Sequence, residues 1–173
     1  MIDPDNTFVT SDHHFCEWKS GNGFYMYGTE EGDAYHVALW NSIVGPDSLV
    51  LYVGDFCDGD AEDLKDLRKR LNGRIVLIKG NHDGLGDETY RAVFEDVVEE
   101  MRLDELNIRL IHIKEDTADR SLGERILYGH LHRAMLDPPQ TTFDSLCVCA
   151  KWHKWRPISL AEAIRLMDEC NHN

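Results

Sequence analysis

No stretch of this sequence approaches the roughly 18 consecutive apolar residues that a bilayer-spanning helix needs, and Met1-Ile2-Asp3-Pro4-Asp5 lacks the basic-then-apolar order of a secretory leader. The expectation is a cytoplasmic protein without membrane contact. Internal repeats, low-complexity tracts and linker-like runs are also missing, so residues 1–173 are expected to form a single domain. Cysteine is scarce and odd in number, five residues without zinc-ribbon spacing, which argues against a disulfide framework and predicts free thiols. Cys147-x-Cys149 alternates within an apolar run and reads as strand packing, not as a metal pair. Positive charge is short as well: 18 Lys and Arg stand against 32 Asp and Glu, a net charge of -14. That balance disfavours broad attraction to a polyanion, so long nucleic acid is not an expected partner. A phosphate-bearing ligand would need local positive charge, which bound divalent cations supply and a formal count omits.

What is present is an alternation of strand and helix patterns. Thr7 to Thr10, Ser48 to Val53 and Arg74 to Ile78 are short apolar runs that read as buried strands. Between the first two, about Asp33 to Val44 places Val37, Trp40 and Val44 on one helical face, with Gly45-Pro46 as a stop. Between the second and third, Asp60 to Leu71 aligns Leu64, Leu67 and Leu71, with acidic residues first and basic ones last as the helix dipole favours. A short helix is expected over Asp87 to Phe94. Strands are expected at Val97 to Met101, Ile108 to Ile113, Arg125 to Tyr128 and roughly Phe143 to Val148. A closing helix should run from about Leu160 to Cys170, N-capped by Ser159 with Glu162 three residues on. This order predicts layered sheets with helices outside.

Polar residues cluster where those strands end. Asp12-x-His14 follows the first, Gly54-Asp55-Phe56-Cys57-Asp58 the second and Gly80-Asn81-His82-Asp83 the third. The carboxyl ends of strands in α/β sheets are where ligand sites gather. His112, placed inside a strand, and Gly129-His130-Leu131-His132 could complete the group. Carboxylate and imidazole together suit Mn, Fe, Zn or Ni, and a carboxylate can bridge two ions. His130-x-His132 puts both rings on one side of an extended segment.

The ordered set Asp-x-His, Gly-Asp-x-x-Asp, Gly-Asn-His-Asp, a lone His and Gly-His-x-His is similar to that of the calcineurin-like metallophosphoesterases, over Asp12 to His132. Trp155-Arg156-Pro157-Ile158-Ser159-Leu160 resembles the tail of small bacterial and phage members. The resemblance implies an α/β fold, a four-layer sandwich of two mixed β-sheets flanked by helices. It implies two divalent ions, Mn favoured: one held by Asp12, His14, Asp55 and His132, the other by Asp55, Asn81, His112 and His130, with Asp55 bridging. His82 matches the histidine that stands beside the metals and assists the leaving group, Asp83 the residue that orients it, and Asp58 a supporting position. The implied reaction is in-line attack of a metal-bound hydroxide on phosphorus. Cys16-Glu17 stands where small members often have Gly-His, and the short His112 to His130 interval leaves little room for a covering insertion.

Blander readings attach to other residues. Asp58 serves equally as a turn former, and His13 as solvent-facing or packed. His36 reads as a surface or core-edge residue, His172 as part of the tail, and His153 as lying off the site. Trp18, Phe24, Tyr25 and Tyr27, with Gly21, Gly23 and Gly28 in the Phe15 to Gly32 loop, could stack on a flat group or pack on a sheet edge. Arg133 and Lys114, next to ligands, default to solvated charges. The expected activity is hydrolysis of a small phosphate ester, a diester in preference to a monoester. A nuclease or a non-catalytic scaffold of the same fold are the rivals. Nothing in the sequence speaks to oligomeric state.

Overall fold

Along the chain, a computed structural model places β1 (Thr7–Thr10), α1 (Glu30–Asn41), β2 (Leu49–Val53), α2 (Ala61–Arg70), β3 (Arg74–Ile78), α3 (Asp87–Arg91) and β4 (Asp96–Val98). There follow β5 (Glu100–Leu103), β6 (Ile108–Ile111), β7 (Arg125–Tyr128), β8 (Ser145–Cys147), β9 (Ile158–Ser159) and α4 (Leu160–Glu169). The structure describes residues 2–19, 29–117, 119–132 and 137–170. Phe24, Tyr25, Tyr27, Gly21, Gly23, Gly28, Arg133 and His172 lie outside the described residues.

The strands form two mixed sheets, ordered β4-β3-β2-β1-β9 and β5-β6-β7-β8. In the first, β1 to β4 are parallel and β9 runs antiparallel to β1, pairing Val9 with Ile158. In the second, β6, β7 and β8 are parallel and β5 is antiparallel to β6. The first sheet is apolar on both faces, which explains why its strands read as continuous apolar runs. Phe8, Val50, Tyr52, Ile75 and Leu77 face outward and pack on Val37 and Trp40 of α1, Leu64 and Leu67 of α2 and Tyr90 of α3. Their neighbours Val9, Leu51, Val53, Val76 and Ile78 face the other way. They join Leu110, Leu127 and Leu146 of the second sheet, and Leu160, Ala163 and Met167 of α4, in a core between the sheets. The outer face of the second sheet buries Ile126, Tyr128 and Cys147 under Leu131 and Trp152.

Local chemistry sets the helix starts. Asp60 caps α2 by accepting from the N–H groups of Glu62 and Asp63, and Asp63 returns a bond to the Asp60 N–H. Thr29 caps α1, so this helix begins and ends three residues before the expected Asp33 and Val44. The expected strand Val97 to Met101 is two strands. It breaks at Glu99, where the chain leaves the first sheet (β4 beside β3) and enters the second (β5 beside β6). β6 stops at Ile111, so His112 lies just past the strand and not inside it. The expected strand from Phe143 shortens to Ser145–Cys147.

Candidate metal centre

β1, β2, β3, β6 and β7 all deliver polar residues to the rim where the two sheets meet. The sharp turns that follow them force the left-handed region on Asp12 (φ 58), His14 (φ 47), Asp55 (φ 58) and His130 (φ 69). Such conformations cost about 1–2 kcal/mol each for residues with a Cβ, and in folded proteins they concentrate at functional sites. Two glycines let the turns close. Gly54 (φ 84) is itself left-handed, and a Cβ there would overlap the His112 ring; one at Gly80 would overlap the Asp55 carboxylate.

The expected ligands come together in two groups. Asp12, His14, Asp55 and His132 are all buried, and their donor atoms lie within 4.8 Å of one another. Asp55, His112 and His130 form a second group on the same criterion. Asn81 Oδ1 stands between its two imidazoles, 3.1 Å from His112 Nε2 and 2.9 Å from His130 Nδ1. Asp55 belongs to both groups.

The tautomers test whether ions fit. His112 Nδ1 is 2.7 Å from the Val53 carbonyl oxygen, which can only accept, so this nitrogen carries the proton of the neutral ring. The Nε2 lone pair of His112 then faces Asp55 Oδ2 at 3.2 Å and Asn81 Oδ1 at 3.1 Å, three acceptors without a hydrogen between them. His14 repeats the arrangement. Its Nδ1 donates to Asp58 Oδ2 at 3.0 Å, and its Nε2 faces His132 Nε2 at 3.2 Å and Asp55 Oδ2 at 3.5 Å. Rings anchored at one nitrogen by a carboxylate or carbonyl, with the other aimed at a shared point, match how metal-binding histidines are held. The residues present fit two divalent cations.

Without an ion, a proton takes that place. Burial disfavours a charged His112, but the bond to Asp55 and the charges of Asp12 and Asp55 overrule it and push the ring up to about 9. Burial raises Asp55, and its bonds to His112 and the nearby imidazoles bring it down to about 2.

Surrounding residues hold the ligands. Asp58 supports His14, as the family pattern implies for that position. Asp83, expected to orient His82, instead spends its carboxylate on the backbone: it accepts from the N–H groups of Asp55 (2.9 Å), Phe56 (3.0 Å) and Gly80 (2.8 Å). The His82 ring is exposed at the rim, edge-on to His14 with ring centroids 5.0 Å apart, and the His82 N–H donates to Asp55 Oδ1 at 2.8 Å. The sequence reading missed Cys149, whose Sγ lies 3.0 Å from Asp12 Oδ2; its position two residues past the end of β8 was the available signal.

Other polar residues are engaged elsewhere. His13 is buried, stacked on Phe15 at 4.9 Å and bonded through Nδ1 to the Tyr52 hydroxyl at 2.9 Å. His36 stacks on Trp155 at 4.4 Å. His153 Nε2 donates to the Cys147 carbonyl at 2.9 Å, off the ligand groups. Lys114 donates to Ser145 Oγ at 2.8 Å and lies over the Tyr128 ring. Asp33 of α1 pins the Cys16 to Trp18 turn, accepting from the Cys16 N–H (2.9 Å) and the Trp18 indole N–H (3.1 Å). An open cavity of about 280 Å³ adjoins Asn81 and His112, lined also by Lys79, Glu99, Ile111 and Ile113.

Over residues 6–148 the chain matches the family described as calcineurin-like phosphoesterase. An uncharacterised protein of Methanocaldococcus jannaschii is 27% identical over 177 residues, covering 94% of this chain and 91% of that one. The crystal structure of a protein of unknown function from Aquifex aeolicus is similar with a TM-score of 0.68, at 20% identity over 92% of this chain and 98% of that one. At that identity the likeness shows the fold alone.

Proposed function

Because the chain belongs to the calcineurin-like phosphoesterase family, we propose that it hydrolyses a small phosphate ester, a diester in preference to a monoester, at a centre of two divalent ions, Mn²⁺ favoured. The observation that carries this reading is the pair of donor groups sharing Asp55, with imidazole nitrogens and carboxylate oxygens converging on two points. Asp12, His14, Asp55 and His132 would hold one ion; Asp55, Asn81, His112 and His130 would hold the other. When bound, two such ions lower the pKa of a water and offset charge on the phosphoryl oxygens. His82, whose exposed ring lies edge-on to His14, would give a proton to the departing ester oxygen. Asp83 keeps Asp55 and the Gly80 turn at a fixed separation, so both groups retain their shape.

The diester preference follows from charge. Two ions already neutralise a diester's single negative charge, whereas a dianionic monoester gains from added cationic side chains. The described lysines nearby are committed: Lys114 to Ser145, Lys79 to Asp87 at 2.8 Å, and Lys151 to the His132 carbonyl at 3.0 Å. The cavity beside Asn81 is large enough for a compact organic group, with Ile111 and Ile113 as its apolar wall. A net charge of -14 disfavours a polymer of phosphates. The complete donor set counts against a non-catalytic scaffold.

The test compares kcat/KM for an aryl diester, an aryl monoester, cyclic nucleotides and a single-stranded oligonucleotide, with Mn²⁺ supplied. The aryl diester or a cyclic nucleotide should be turned over most efficiently. A monoester preference would overturn the diester reading, higher efficiency on the oligonucleotide the small-substrate reading.

A further inference from the structure

We propose that Cys149 is a positioning residue for Asp12, and through it for the first ion of the centre; the inference rests on the dinuclear reading above. Cys149 lies on the stretch leaving β8, in the second sheet, while Asp12 lies on the stretch leaving β1, in the first. The two stretches are stitched together where Ser11 bridges Cys149 and the Ala150 N–H donates to the Ser11 carbonyl at 2.9 Å. That stitch sets the Cys149 thiol, fully buried, 3.0 Å from Asp12 Oδ2.

The two oxygens of Asp12 have different company. Oδ1 faces His132 Nε2 at 3.3 Å, toward the first ligand group. Oδ2 faces the thiol, and the His130 N–H spans both oxygens at 3.0 and 3.1 Å. Rotation about the last bond of an aspartate is soft and roughly two-fold, so a backbone N–H shared between both oxygens does not choose which way the carboxylate turns. A donor on Oδ2 alone does. The neighbouring Cys147 thiol, with its sulfur 3.2 Å from that of Cys149, donates to it, so the Cys149 hydrogen is left for the carboxylate. A thiol is a weak donor, but an ionised and buried acceptor strengthens the bond. With Oδ2 held in this way, Oδ1 keeps its aim at the first ligand group, where it would meet the ion. Removing such a supporting partner typically costs about 10–100-fold in metal affinity.

The experiment titrates Mn²⁺ by calorimetry into metal-stripped wild-type protein, Cys149→Ser and Cys149→Val. Wild type is expected to take up two ions. Cys149→Val, which fills the space without a donor, should bind one of them about 10-fold more weakly, while Cys149→Ser, whose hydroxyl also donates, should stay within about threefold of wild type. Unchanged binding by Cys149→Val overturns the proposal. So does an equal loss in both variants, which would make volume and not the donor responsible. A wild-type protein that takes up no Mn²⁺ sinks the dinuclear reading and this inference with it. A second readout needs no metal: infrared difference spectra of the stripped protein should show a Cys149 S–H stretch lowered by its bond, lost in Cys149→Ser and raised in Asp12→Asn. A band unmoved by Asp12→Asn overturns the proposal, and decides alone should Cys149→Val not fold.

Discussion

The carboxylate of Asp83 accepts the backbone N–H of Asp55 at 2.9 Å, tying the turn after β3 to the turn after β2 from 28 residues away. The same carboxylate serves Phe56 and Gly80. Replacing it with a methyl group strands three backbone donors in a place where Asp83 is only 4% exposed. Asp83→Ala is therefore expected to cost about 2 kcal/mol, a fall in Tm of about 5 °C, and to lower metal content as the Asp55 turn loosens. Calorimetry and metal analysis on the same preparation check it; a variant with wild-type Tm and metal would show that water replaces the carboxylate.

Asp55→Asn should weaken both ions together. Asp55 is common to both donor groups, and the amide removes the charge that each ion would share. Metal analysis after dialysis measures it, with fewer than two ions per chain expected. Full occupancy would mean that the two groups do not share this residue.

His82→Ala should leave metal content at the wild-type level while kcat falls by about 100-fold, the scale of a lost proton donor. The His82 ring stands beside His14, and its donor atom lies within 4.8 Å of those of His14 and Asp58, so metal content and kcat together decide between a ligand and a proton donor. Loss of metal would make His82 a ligand, and unchanged kcat would leave it without a part in the chemistry.

The stability of the fold should also record His36. Burial holds this ring below the ordinary value of 6.5, and its Nδ1 has no hydrogen-bond partner among the described residues. A base with a depressed folded pKa binds fewer protons folded than unfolded. Its contribution is complete above about 6.5 and is lost as the pH falls through that value toward the folded pKa, at up to about 1.4 kcal/mol per pH unit. His36→Phe, which keeps a ring against Trp155, should flatten the decline in Tm between pH 7 and pH 5 by this part. An unchanged slope would show that His36 titrates as it does in the unfolded chain.

The sequence carried the strand ends and therefore the ligands. β1, β3 and β7 fall where their apolar runs predict because short buried strands bounded by turn residues leave little freedom in register. The break at Glu99 was not legible: Val97 to Met101 keeps one pattern, and which sheet each half joins depends on partners in β3 and β6. β9 has two residues, too few to carry a period. Asp83 and Cys149 were misread or missed for a shared reason. Apart from the bond that Asp83 accepts from Gly80 three residues back, their contacts run to the Asp55 turn and to Asp12, 28 and 137 residues away, and a hydrogen bond to a distant backbone or carboxylate leaves no local mark.

The hand-over at Glu99 divides the ligands by sheet. Asp12, His14, Asp55 and Asn81 follow strands of the first sheet, while His112, His130 and His132 follow strands of the second. Any cation held by both sets is thus a rivet through the seam, and unfolding either sheet must first pull the rivet out. At an ion concentration of about 100 times Kd, this linkage adds about 2.7 kcal/mol to the folded state. A chelator should then loosen the protein along the line between its sheets before either sheet comes apart.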